Sequence, residues 1–142
     1  MNIELESVDI DIPMHLRAIR DPSLWKWTAV EWHRLYRPYV PFSTGLLYNT
    51  VNIMPGRGDA LIEHVVPYAH YAYEGIVYGP NVPISQGGKI VGYFSPEAPK
   101  HRTGGMMHYS GRGTRHWDEA AKPTQLPKLI RFMQKYVDSR NL

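Results

Sequence analysis

Residues 46–66 read LLYNTVNIM-PGRGD-ALIEHVV. The first nine residues alternate, placing Leu47, Asn49, Val51 and Ile53 on one side, as a half-buried strand does. Pro55 to Asp59 concentrate proline, glycine and aspartate, the chemistry of a turn. Ala60–Val66 is β-branched and apolar enough to return as a second strand. The stretch predicts an antiparallel hairpin with strands at Leu46–Met54 and Ala60–Val66 and a five-residue loop.

Upstream, Asp21-Pro22 is an N-cap followed by proline at the first helical position. Trp25, Ala29, Trp32 and Tyr36 then recur at i, i+4, i+7 and i+11, one apolar stripe of a helix over about residues 22–37, which Pro38 and Pro41 end. Residues 2–12 alternate apolar and acidic side chains, with Val8, Ile10 and Ile12 on one side, and predict a strand-like or extended arm within residues 1–20. Downstream, YAHYAYEG at 68–75 is a short helical turn closed by glycine. Residues 76–114 hold eight of the twelve glycines and predict a long loop and β excursion, with short strands at Ile76–Tyr78, Lys89–Phe94 and Met106–Tyr109. The end is helical. His116–Lys122 forms a first turn or two, Thr124 caps a second helix, and Leu126, Leu129, Ile130, Met133 and Val137 form its apolar stripe. The order predicts one α+β domain over residues 1–142: a small antiparallel sheet flanked by an N-terminal and a C-terminal helix.

Composition narrows the function. The 142 residues contain no Cys, which removes disulfides, thiolate catalysis and Cys-ligated metal centres. No apolar run approaches the roughly 18 residues of a membrane span, so no membrane partner is expected. The start lacks the basic and apolar regions of a signal peptide, and synthesis in the cytoplasm is expected. His64, His70 and Glu74 are the nearest approach to a metal set. They lack an H-E-x-x-H pattern and a third helical ligand, so neither a metal nor another cofactor is expected. No G-x-S-x-G elbow is present, and no catalytic residue is named. The glycine–arginine pieces at 56–58 and 111–113 are read as turns. The expectation is a binding or structural protein, not an enzyme.

Charge is segregated. Residues 1–50 net −1, residues 51–99 net −2, and residues 100–142 carry nine Lys/Arg against three Asp/Glu, net +6. Complementary ends suit head-to-tail contacts between copies. The basic third also leaves open a small cytoplasmic nucleic-acid-binding or regulatory protein. Ten Tyr and four Trp supply more amphipathic ring surface than one small core needs.

Four elements together carry a resemblance. Tyr39-Val40-Pro41-Phe42-Ser43-Thr44-Gly45-Leu46-Leu47 resembles the YVPxDTGxL element of the minor capsid protein family of tailed bacteriophages, with Ser43 in place of Asp. Val66–Gly75 is similar to that family's xPYARYxYYG, with His70 for Arg and Glu74 for Tyr. Gly75–Tyr78 resembles the segment that follows. His108-Tyr109-Ser110 and then Trp117–Ala120 resemble its closing element, whose central portion is altered at Gly111–His116. The similarity spans roughly Tyr36 to Val137. It implies a virion protein of the neck at the head–tail junction. Such a protein forms a homo-oligomeric ring of six copies, or twelve, between a head connector or adaptor and tail terminator or tail-tube proteins, and meets DNA only as the passing genome. On this reading Tyr68, Tyr71, Tyr73, Arg112 and Arg115 are the expected subunit or neck contacts. Pro41, Thr44, Gly45, Gly75 and Trp117 are the expected structural positions.

Overall fold

The computed structural model describes residues 3–7, 11–42, 45–79, 82–94, 99, 101–106, 109 and 112–142. The chain is α+β. Strand β1 (Ile3–Ser7) leads to a single helical turn, α1 (Met14–Arg17), whose Leu16 is fully buried. Residues 8–10, which include Val8 and Ile10, lie outside the described residues. Helix α2 (Pro22–Tyr36) starts as its sequence requires: Asp21 accepts a hydrogen bond from the Ser23 amide at 2.9 Å, and Pro22 occupies the first turn. Trp25, Ala29, Trp32 and Tyr36 are all buried, joined by Leu24, Thr28 and Leu35. Two of the hydroxyl and indole donors among them are satisfied locally, Thr28 by the Leu24 carbonyl and Trp25 by that of Ile19. The helix ends ahead of Pro38 as expected; Pro38 sits in a 3-10 turn at Arg37–Tyr39, where its fixed φ fits and its missing N–H is not needed.

The anticipated first strand is half helix. α3 (Leu46–Asn49) is a helical turn closed by the Asn49 and Thr50 amides on the carbonyls of Gly45 and Leu46, both at 2.9 Å. Only then does β2 (Val51–Pro55) begin. The alternation at residues 47 to 53 misled because a segment as short as Leu46–Asn49 satisfies both periods. Gly45 opens the turn at φ +83°, a left-handed conformation costly to any residue with a Cβ. β3 (Ala60–His64) pairs antiparallel with β2 in continuous register from Val51↔His64 to Pro55↔Ala60. β1 adds on its other side, giving the order β1-β3-β2.

Helix α4 (Ala69–Glu74) ends on Gly75, as its glycine predicts. Strands β4 (Ile76–Gly79) and β7 (His101–Met106) form one two-stranded ladder; β5 (Val82–Gln86) and β6 (Lys89–Phe94) form another, joined by a turn at Gly87–Gly88. The last strand therefore ends where Met106–Tyr109 was expected to start. β5 escapes a sequence reading because it carries Pro83 and has no buried face to set an alternation.

The C-terminal helix is continuous. α5 (Trp117–Arg140) runs through both Pro123 and Pro127, and Thr124 is no N-cap: its hydroxyl lies 2.9 Å from that of Tyr39. Each proline deprives a carbonyl four residues earlier of its partner. Glu119, Pro123 and Pro127 are all exposed, so water serves those carbonyls at modest cost, while Ala121, Leu129, Met133 and Val137 anchor the opposite face. α2 packs against both β2–β3 and α5, and the core forms along those contacts.

Candidate assembly surface

His64 sits at the centre of the body. It is 1% exposed, with its Nδ1 3.0 Å from the Leu47 carbonyl and its Nε2 2.7 Å from the Tyr36 hydroxyl. A carbonyl only accepts, so Nδ1 carries the proton and Tyr36 donates to Nε2. The Trp117 ring meets the imidazole edge-on at 5.4 Å. Burial holds His64 below the usual histidine range, and His33 is lowered to about 4, again chiefly by burial. His33 donates to the Tyr48 carbonyl and stacks on the Tyr48 ring at 4.0 Å. These histidines are neutral parts of a polar–aromatic core. His70 and Glu74 face each other at 3.5 Å on α4. Among the described residues no three metal-ligating side chains come together, and no helix is long and apolar enough to cross a membrane.

Parts of the first, second and closing resembling elements meet in one corner, together with the altered stretch that leads into α5. The Thr114 amide donates to the Tyr39 carbonyl at 3.0 Å, and the His116 amide to that of Tyr73 at 2.9 Å. Tyr73 donates to Asp118 Oδ1 at 2.7 Å, beneath a 4.9 Å edge contact with Trp117. Asp118 is 2% exposed and lies in the first turn of α5. Tyr109 donates to the Ala72 carbonyl at 2.6 Å. A Cβ on Gly75 would lie 2.9 Å from both Arg115 Cβ and the Tyr109 hydroxyl. At Gly113, φ +117°, a Cβ would lie 2.4 Å from Pro41 Cα, closer than atoms can approach. The glycine–arginine segment at 111–113 is thus no loose turn at Gly113: the backbone is pressed on Pro41. Thr44 and Gly111 lie outside the described residues.

The expected contact residues divide. Tyr68 is exposed and Arg115 is exposed; Tyr71 is half-buried beside His70. Tyr73 points inward as the anchor of α4 on α5. Arg112 lies over the Phe42 ring at 4.8 Å, with Nε and Nη2 shielded from solvent and without a partner among the described residues. Phe42 and Leu46 are 47% and 50% exposed. Sequence reading missed an apolar surface on the β5–β6 hairpin, where Val82, Ile84, Ile90, Val91, Tyr93 and Phe94 are all exposed. The signal was present in the KIVGYF run, but an apolar strand looks the same in sequence whether its own core or another subunit covers it. On α5, Lys128, Arg131 and Lys135 form an exposed basic row at helical spacing.

Compared with known proteins, the chain matches no family model, no curated protein and no solved structure.

Proposed function

We propose that this chain is a structural protein of a tailed-phage neck, whose copies close into a ring that joins the head connector to the tail or completes the tail end. The observation that carries the reading is that residues of three of the resembling elements converge. In Val66–Gly75, Tyr73 bonds Asp118 and Ala72 accepts from Tyr109, both of the closing element, while Tyr39 of the first element accepts from Thr114 in the altered stretch between them. Residues that match a family pattern and also fold into one unit are more than scattered coincidences of composition. The chemistry of that corner suits a scaffold: its polar groups are spent on one another and its rings are packed.

The exposed hairpin adds to this, since soluble monomers rarely leave such apolar surface uncovered. Six copies follow from the six-fold symmetry of tails that the resemblance implies; twelve would place the ring against the head connector.

The test is a cryo-EM map of purified virions produced from a genome that encodes the chain. Density for this fold at the head–tail junction supports the reading. A chain absent from particles, and instead binding duplex DNA through Lys128, Arg131 and Lys135 with a steep salt dependence, replaces it with the nucleic-acid reading.

A further inference from the structure

Three guanidiniums gather where α2 gives way to α3. Arg34 stands in the last turn of α2 and Arg37 opens the 3-10 turn, lying over the Tyr48 ring at 5.2 Å. Arg112 comes from the far side of the sequence and lies over Phe42 at 4.8 Å. Burial raises the Tyr48 hydroxyl above the usual tyrosine range, and Arg37, Arg34 and Arg112 all pull against that rise, so the three charges share the neighbourhood of one ring.

The surroundings are fixed. Tyr48 stacks on His33 at 4.0 Å and 9°, and the same histidine holds its carbonyl at 2.9 Å. Gly113 pressed on Pro41, and the Thr114 amide on the Tyr39 carbonyl, pin the backbone that delivers Arg112. Among the described residues Arg34 alone of the three has a carboxylate partner, Glu31. Arg112 is the costly member. Its Nε and Nη2 are shielded from water without an acceptor among the described residues, and charged donors in that state call for one. The ring contact engages the face of the guanidinium and leaves its in-plane N–H donors to be used. Phe42 is 47% exposed, so these donors lie one side chain below the surface.

We propose that Arg37, Arg112 and the Tyr48 hydroxyl bind a doubly charged phosphate, free or at the end of a larger molecule, with Arg34 adding charge at the rim. Charge and shape select this ligand. Three guanidiniums less the carboxylate of Glu31 leave two positive charges. A phosphate monoester, at about −1.5 to −2 near neutral pH, balances them, and a carboxylate does not. Its three terminal oxygens accept a fork from each of two guanidiniums and a bond from the hydroxyl. A phosphodiester within a nucleic-acid backbone has one charge and one free oxygen fewer.

The test is calorimetric titration of inorganic phosphate into the full chain at near-physiological salt. One equivalent is expected to bind with a Kd below about 1 mM. Arg37→Gln and Arg112→Gln should each weaken it at least about 10-fold, and Tyr48→Phe, which keeps the stack and removes only the hydroxyl, about 5-fold. Arg140→Gln removes a guanidinium that lies over the Tyr136 ring at the other end of the sequence and should change nothing. Near-ultraviolet circular dichroism checks each fold, and Arg37→Gln with Tyr48→Phe carry the test if Arg112→Gln does not fold. A single-stranded oligonucleotide ending in a 5′-phosphate separates the sources. Tighter binding than inorganic phosphate assigns the site to a terminal phosphate, and weaker binding assigns it to the free ion. Equal affinity for the same oligonucleotide without its 5′-phosphate overturns the proposal in favour of backbone contact. So does phosphate binding that survives both arginine substitutions, or no saturable binding of either the ion or the 5′-phosphate.

Discussion

Ile62 and Ile90 are the same residue type on strands of similar length, yet one is 1% exposed and the other 57%. Ile62 lies on β3, the central strand of its sheet, which packs against α2. Ile90 lies on β6, whose only close neighbour among the described elements is β5. The body and the β5–β6 hairpin thus draw on one alphabet for different ends. In the body, rings and aliphatic side chains are buried and each central polar group has a partner: His64 with Tyr36 and Leu47, Tyr73 with Asp118. In the hairpin, the same apolar residues have only each other across a two-stranded ladder, which is marginal on its own in water. Burial inside the chain specifies the fold; apolar surface left outside it specifies a partner.

The sharpest way to break the body is at Trp117. Its ring closes over His64 and Tyr73 at 5.4 and 4.9 Å and is 1% exposed. Trp117→Ala should cost about 3–5 kcal/mol, as removal of a fully buried large aromatic does, and leave the chain largely unfolded or close to it. Denaturant unfolding followed by fluorescence measures it, and a loss below about 1 kcal/mol would show that the corner is not held by this ring.

Next in size are the glycines that set backbone approach. Gly113→Ala forces a Cβ against Pro41 in a region that L residues avoid, and should cost about 2–4 kcal/mol. Gly45→Val meets the same conformational penalty with tight contacts to side chains, not backbone, Asn49 and Phe42 at 3.1 Å, and should cost more than about 1 kcal/mol. The ranking is itself the test: equal effects would mean that the Pro41 backbone moves aside easily.

These positions show how far the sequence could be read. Asp21-Pro22, the α2 stripe and the Gly75 stop were legible because their causes are local: a cap, a period, a left-handed residue. The Leu46–Asn49 turn was not, since a segment of four residues fits either period. Neither was the continuity of α5, because whether Pro123 and Pro127 are tolerated depends on which face of the helix meets solvent. Gly113 was read as loose because only the fold brings Pro41 against it. Tyr73 was expected at a subunit contact, and its inward turn depends on Asp118, 45 residues away.

A smaller effect comes from pH. His33, lowered to about 4 by burial, is neutral in the folded chain at pH values where the unfolded chain, near 6.5, is already protonated. The unfolded state therefore binds more protons between those values. Stability is fully present above about 6.5, declines as pH falls, and the contribution is gone below about 4. His64, lowered in the same direction, adds to it. From pH 7 to pH 5 the loss should be on the order of 1–2 kcal/mol, allowing for partial solvation of His33. Denaturant midpoints that do not move over that range would contradict the buried, neutral assignment.

The smallest expected effect on folding is the one that sharpens the comparison most. Ile62→Ala removes a fully packed side chain and should cost about 2–5 kcal/mol. Ile90→Ala removes as many atoms from a side chain already more than half in water, and the stability of the dilute chain should change by no more than about 0.5 kcal/mol. Chemical denaturation of both variants at low micromolar concentration measures the pair. The order should then reverse in association: Ile90→Ala weakens self-assembly measured by light scattering, while Ile62→Ala, wherever it remains folded, leaves the affinity of its folded fraction unchanged. If Ile90→Ala proves as damaging to the isolated chain as Ile62→Ala, the hairpin is part of the body's own core, and the division between a surface that folds the chain and one that joins copies collapses.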